Sequence, residues 1–204
     1  MVAAVLLFGF SAQAEDISDK IHTRYKEISS FKTSFVQELT KAASGNTEKR
    51  KGVIYFQKPT NVRWQTNEPE KETLLVNKST VWQYIPKENL AYKFALRNKF
   101  KSKTMIEFIT GDVNVEKDFQ LERLDKSDEG WVKLKLTPKD PEPSMVMAHL
   151  WVEPKSGLLR RIKIRDFWSN ENTLTFKDIQ LSPDISPDLF NFEPPEDVEV
   201  KDNT

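Results

Sequence analysis

Hydrophobic and polar positions change rhythm along this chain at Phe31. Before it, Ile17, Ile21, Tyr25 and Ile28 recur at helical spacing, predicting a helix. Asp16 is its expected N-cap, with Asp19 in the first turn favoured by the helix dipole. After it the period becomes two, and eleven short strands are predicted: 31–40, 50–58, 61–66, 72–77, 80–85, 89–95, 119–124, 131–137, 145–152, 158–166 and 173–181. Turn signals separate them, among them Ser44-Gly45-Asn46, Lys58-Pro59-Thr60-Asn61, Asp128-Glu129-Gly130, Lys155-Ser156-Gly157 and Asn170-Glu171-Asn172. Regular short strands joined by turns predict an antiparallel meander: a barrel, a partial barrel or a sandwich. Two helical interruptions are expected. In "SKTMIEFITGD", 102–112, Thr104 and Glu107 have capping-box spacing and Gly111 can end the helix. In "SPDLF" Ser186 caps and Pro187 takes the first helical position.

The stretch "GVIYFQKPTNVRW", Gly52 to Trp64, is apolar on both strand faces. Ile54 and Phe56 point one way, Val53 and Tyr55 the other; beyond Lys58-Pro59, Val62 and Trp64 share a face. A sheet wetted on one side is polar on that side, so both faces here need a cover, from a helix or from a ligand.

Composition narrows the classes. The chain has 204 residues with 31 Lys plus Arg against 31 Asp plus Glu, which gives none of the basic footprint of a nucleic-acid binder. It has no cysteine, which excludes disulfides, thiol catalysis, thiolate metal sites and a lipid-modified N-terminal cysteine. Val2 to Phe10 is an apolar run too short to span a bilayer, and Ala12-Gln13-Ala14 fits a small-x-small cleavage pattern. We read residues 1–14 as a secretory signal peptide and 15–204 as a single mature domain, soluble and exported.

Candidate chemistry is sparse. His22 lies beside the apolar stripe of the first helix and His149 alternates along a strand; neither has a second histidine at metal-ligand spacing. The carboxylates Glu68, Glu70, Glu72, Asp125, Asp128 and Glu129 sit in or beside turns, where solvation accounts for them. Two basic clusters suit a solvated face, or docking to an acidic partner or an anionic headgroup: Arg97, Lys99, Lys101 and Lys103, and Arg161, Lys163 and Arg165, the latter with Ile162 and Ile164 on the opposite strand face. Aromatic residues carry more. Thirteen Phe, five Trp and four Tyr, many on strands, supply more apolar inner surface than two or three short helices can fill. A hydrophobic ligand cavity accounts for the remainder.

In order and spacing, "SSFKTSFVQ", "GVIYFQKPTNVRW", "LLVNKSTVWQYIP", "LTP" and "LFNFEPPEDVEV" resemble the periplasmic outer-membrane lipoprotein carrier proteins called LolA, over essentially the whole mature chain. The resemblance implies a mainly β fold with short helices: an unclosed antiparallel β-barrel of about eleven strands with a helical lid over an apolar cavity. It implies a periplasmic carrier that takes lipoprotein acyl chains from the inner-membrane LolCDE transporter to the outer-membrane receptor LolB, with no cofactor, no metal and no enzymatic step. Ile54, Phe56, Val62, Trp64, Met105, Ile106, Phe108 and Ile109 are the expected ligand-binding residues. The family often has an arginine before the proline of the second hairpin turn, bonded to the lid; here Lys58 stands there as the expected latch, without the planar fork. A monomer is expected. Two readings compete: a secreted hydrolase acting on an acyl substrate, and a periplasmic lipid-sensing domain resembling the N-terminal half of the stress regulator RseB.

Overall fold

The structure is a computed structural model that describes residues 8–96 and 105–204. Its helices are α1 (Phe8–Glu27), α2 (Met105–Thr110) and α3 (Val115–Asp118). The strands are β1 (Ser30–Thr40), β2 (Thr47–Gln57), β3 (Asn61–Glu68), β4 (Glu72–Val76), β5 (Thr80–Ile85), β6 (Leu90–Ala95), β7 (Phe119–Leu124), β8 (Val132–Pro138), β9 (Met147–Val152), β10 (Leu159–Arg165), β11 (Glu171–Leu181) and β12 (Glu199–Asn203). Their order in the sheet is β12-β6-β5-β4-β3-β2-β1-β11-β10-β9-β8-β7. Among the described residues the two end strands do not pair, so the sheet is unclosed.

The eleven expected strands are all present, with boundaries shifted by a few residues at most. A twelfth, β12, is additional. Its five residues are all exposed, so it has no buried alternation to detect. It also departs from the expected antiparallel pattern, running parallel to β6 with Glu199 opposite Leu90 and Asn203 opposite Phe94. Asp16 does not begin the first helix: α1 is already helical from Phe8, and Ala12, Gln13, Ala14 and Glu15 ahead of Asp16 are good helix formers. Residues 1–7 of the expected leader lie outside the described residues.

The chain gathers into two compact units, each drawn from separate stretches of sequence. One holds the N-terminal part through Glu27, Leu39–Asn46, and the part from α2 to Thr175; the other holds Ile28–Glu38, the part from Thr47 through β6, and Phe176–Thr204.

In the second unit the strand registers sort side chains into two faces. Residues directly opposite one another share a face. One face carries the rows Phe56-Val62-Val76-Val81-Phe94 and Ile54-Trp64-Leu74-Gln83-Tyr92. The other carries Tyr55-Arg63-Leu75-Trp82-Lys93 and Val53-Gln65-Thr73-Tyr84-Ala91. The C-terminal stretch covers this second face. As expected, Ser186 caps a 3₁₀ helix, Pro187–Phe190, its hydroxyl accepting from the Asp188 N–H. The Arg63 guanidinium donates to the Leu189 carbonyl at 2.9 Å. The Phe192 ring then lies 5.3 Å from both Trp82 and Tyr84. Leu75 and Ala91 beneath are fully buried. This cover reaches residues 52–64 at Arg63; Tyr55 of the same face lies under the Lys32 ammonium, 5.5 Å from its ring centre.

In the first unit α1 docks through a glycine. A Cβ on Gly157 would sit 2.6 Å from the Lys20 carbonyl oxygen, so only glycine lets the β9–β10 turn approach the helix this closely. Arg24 of α1 donates to the Ser156 carbonyl at 2.7 Å, and Ser18 donates to Glu116 of α3. The sheet face of this unit is built from Val132, Leu134, Leu136, Ala148, Leu150, Ile162, Ile164 and Leu174, all buried and aligned by the β8–β9–β10–β11 registers.

We expect Phe192→Ala to destabilise the protein by about 1–3 kcal/mol, since a half-buried aromatic with two ring partners is lost. Urea unfolding of the variant beside the parent measures it; an unchanged midpoint would mean that this ring does not hold the cover.

Candidate functional site

Four of the eight expected ligand-binding residues lie in the second unit, and the structure brings them together. Ile54 faces Trp64 and Phe56 faces Val62 across the β2–β3 hairpin, on one face, at 0%, 8%, 1% and 0% exposure respectively. Phe31 packs on Phe56 at 5.3 Å, and Phe35 meets Trp64 edge-on at 5.2 Å. Gly52 makes that edge contact possible. A Cβ there would lie 1.8 Å from the Gln65 carbonyl oxygen and 2.8 Å from the Phe35 ring.

At the other end the same face turns polar. Glu72 accepts from Arg50 at 3.1 Å and from Gln83 at 2.6 Å, and Arg50 also pairs with Glu48 at 2.6 Å. These residues line a hollow of about 520 Å³. Glu72 is therefore not the solvated turn carboxylate that its sequence context suggests: its side chain is only 25% exposed and tied to two partners.

The other four expected residues are in the first unit, on α2. Met105, Phe108 and Ile109 are buried at 7%, 3% and 0%, and Ile106 is half-buried. Phe108 packs against Phe119 with centroids 6.0 Å apart. Of the helix expected over 102–111, the described part is Met105–Thr110, and Thr104 of the expected capping box lies outside the described residues. Gly111 ends it as expected, in the left-handed region at φ 79°. A Cβ at Gly111 would meet the Tyr25 Cβ at 2.6 Å. Tyr25 is itself buried, which raises the pKa of its hydroxyl, while a hydrogen bond with the Leu159 backbone and the Arg160 charge lower it in part. Helix α3 has no counterpart in the sequence pattern. Its cap, Asn114, accepts from the Lys117 N–H, and a one-turn helix leaves too little periodicity to read. Met105 also lines a hollow of about 460 Å³ with Leu39 and Ile164, rimmed by Asp166, Asn170 and Glu171.

Lys58 is exposed in the β2–β3 turn, and its backbone N–H donates to the Ser29 carbonyl at 2.8 Å. The basic cluster Arg97, Lys99, Lys101 and Lys103 lies outside the described residues. Arg161, Lys163 and Arg165 do share one face of β10, with Ile162 and Ile164 buried on the other. Lys135, Lys133 and His149 join them through the β8–β9–β10 register. His149 titrates below the ordinary histidine range, chiefly through burial and then through the Lys133, Lys163, Arg165 and Lys135 charges. Glu171 receives Lys163 at 2.8 Å and Arg165 at 2.7 Å, and these two hydrogen bonds hold its carboxyl below the usual range. His22 is exposed on α1.

Rows of buried aromatic and aliphatic side chains on one sheet face, ending at the Arg50–Glu72–Gln83 cluster, are the apolar feature of the second unit. Comparison with known proteins supplies the rest. The outer membrane lipoprotein carrier protein LolA family matches residues 26–193, and the chain belongs to that family, whose members are carriers rather than enzymes. The outer-membrane lipoprotein carrier protein of Nitrosomonas europaea is 28% identical over 202 residues, covering 98% of this chain and 95% of that protein. That of Francisella philomiragia is 26% identical over 207 residues, covering 100% and 97%. Among solved structures, an uncharacterized conserved protein from Thermus thermophilus superposes with a TM-score of 0.60 at 14% identity, over 94% of this chain and 99% of that one. A chain of the Pseudomonas aeruginosa MucA/MucB complex superposes at 0.51 with 12% identity, over 93% of this chain and 63% of that one. Both likenesses concern the fold alone.

Gly111→Ala tests the α2 terminus. A left-handed backbone costs an L-residue roughly 1–2 kcal/mol, and the new methyl must displace Tyr25. We expect a lowered melting temperature with hydrogen exchange accelerated first in α2; unaltered exchange there would show that the helix end tolerates a side chain.

Proposed function

We propose that this protein is a periplasmic chaperone that binds the acyl chains of lipoproteins and carries them between membranes, receiving them from the LolCDE transporter and delivering them to LolB. The observation that carries the reading is the family match over residues 26–193, on a chain whose strands carry the apolar row Phe56-Val62-Val76-Val81-Phe94. Among the described residues no helix is long and apolar enough to cross a membrane, which suits a mobile carrier. In this reading residues 1–14 are an export signal.

Ile54, Phe56, Val62 and Trp64 are the proposed acyl-contacting residues of the second unit, and Met105, Ile106, Phe108 and Ile109 those of the lid helix. Their burial supports a carrier that binds at a cost. Each methylene removed from water contributes about 0.8 kcal/mol, so enclosing several long chains would exceed the practical ceiling of about 20 kcal/mol for noncovalent affinity. Side chains that already bury one another when the carrier is empty offset part of that gain, because cargo must displace their contacts. Lys58 is proposed as a latch that favours the empty form. Its effect would run through charge-assisted hydrogen bonds, each contributing about 1.5–3 kcal/mol.

Mass spectrometry of material copurifying from periplasm is the direct test, with lipoprotein or its lipid expected and none found counting against the proposal. N-terminal sequencing of the same material should begin at Glu15. In a transfer assay, Phe56→Glu and Val62→Glu should lose most acyl binding; because a buried unpaired carboxylate also costs stability, melting is measured in parallel. Variants that melt normally and still load would remove these residues from the site. Lys58→Leu should retain lipoprotein roughly ten- to a hundredfold more tightly and release it poorly; loading and release like the parent would leave Lys58 with no latch role.

A further inference from the structure

The β10–β11 turn exposes two large aromatic side chains. Phe167 is 70% and Trp168 67% exposed, their rings edge-on with centroids 5.9 Å apart. Single exposed apolar residues are ordinary on a soluble surface. These two are adjacent, and the turn that holds them is closed by hydrogen bonds. The Asp166 N–H donates to the Asn170 carbonyl at 3.1 Å and the Ser169 N–H to the Asp166 carbonyl at 3.0 Å. The Asn170 N–H and side-chain amide donate to the two Asp166 carboxylate oxygens, both at 2.8 Å. The Phe167 N–H is anchored to the Pro143 carbonyl at 3.0 Å. A fixed backbone therefore projects the rings into water.

The sheet face that runs into this turn is cationic. Arg161, Lys163 and Arg165 on β10 and Lys135 on β8 pair with the carboxylates Glu122, Glu129 and Glu171, and Lys133 on β8 lies over the Trp151 ring. Five cations against three anions leave two positive charges, or one if Asp166 of the turn is included. Trp131 and Trp151 lie under these cations, with Lys133 5.0 Å and Arg161 5.3 Å from the Trp151 ring centre.

We propose that the Phe167–Trp168 turn, with the cationic face beside it, docks the protein on a bilayer surface carrying anionic phospholipid headgroups. Phe and Trp settle at the boundary between headgroups and acyl chains, and Lys and Arg contact phosphate above them. The rings form a projecting knob, not a pocket. Phe and Trp side by side, next to Lys and Arg, match the apolar–polar layering of a headgroup boundary, which favours a membrane over an acidic protein. Asp166 and Asn170, which flank the pair, also rim the 460 Å³ hollow lined by Met105 and Ile164. Membrane docking goes beyond cargo binding and is tested without cargo.

Intact protein with no added lipoprotein is sedimented with vesicles of phosphatidylcholine alone or of phosphatidylcholine mixed with phosphatidylglycerol. The mixed vesicles should bring the protein down, less so at high salt. Phe167→Ser combined with Trp168→Ser should weaken that binding roughly tenfold or more, with melting unchanged because both side chains are exposed. Parent protein should show a blue shift of tryptophan emission on adding mixed vesicles, and Trp168→Phe should lose it. No sedimentation with mixed vesicles, or equal binding by the double variant, would overturn the proposal. So would capture by polyglutamate without vesicle binding, which would assign the face to an acidic polypeptide.

Discussion

Without Phe192, Trp82 and Tyr84 would lie against water. That contact, at 5.3 Å to each ring, covers the apolar part of the second face of β4–β6, around the buried Leu75 and Ala91. A strand with both faces apolar is unstable unless both are covered, and the chain supplies one cover from its own C-terminal stretch. The opposite face is thereby released from any duty to meet solvent. It holds Phe56, Val62, Trp64 and their neighbours in buried rows, the rows proposed above to receive an acyl chain. The Arg63 bond to the Leu189 carbonyl fixes the strap polarly as well. One part-buried donor and one ring cluster thus connect the last part of the sequence to the use of the middle part.

Two close approaches organise the packing in a similar way. At Gly52 the absent Cβ lets Phe35 stand edge-on to Trp64, and at Gly157 it lets a turn meet α1. Neither is a hinge or a loop convenience: each is a place where two pieces of backbone or ring come nearer than any side chain permits. The aromatic rows of one unit and the helix docking of the other each depend on a single hydrogen atom where other residues carry carbon.

Much of this is legible in the sequence. Period-two alternation locates β1 to β11 because each has a buried face, and buried faces write themselves into sequence as Ile54-Phe56 or Val132-Leu134-Leu136. The Ser186-Pro187 turn is legible from its cap. What escapes has no such imprint. β12 is exposed throughout, so its pairing with β6 rests on backbone hydrogen bonds that composition does not record. Helix α3 is one turn long. The strap function of Phe192 is a long-range contact, visible in the sequence only as a demand that something cover the second face of residues 52–64. Glu72 is misread because its partners, Arg50 and Gln83, come from other strands. The Asp166–Asn170 turn is placed a little late, as Asn170-Glu171-Asn172, because Asp166 closes it through hydrogen bonds to Asn170 that the turn composition does not record.

The edge strand β12 has a consequence for the protein in a crowded compartment. β6 would otherwise end the sheet with a ladder of unpaired N–H and C=O groups next to Tyr92 and Phe94, an inviting template for any passing extended peptide. β12 occupies that ladder and turns outward a strip of alternating charge, Glu199, Lys201 and Asp202, with Asp202 held by Lys93 at 3.0 Å. Its carboxyl is drawn down to about 2 chiefly by that Lys93 bond, so it stays ionised through the whole range from mild acid to neutrality. A molecule devoted to keeping other chains' greasy tails from sticking carries, at its own border, a charged selvedge that keeps it from fraying into its neighbours.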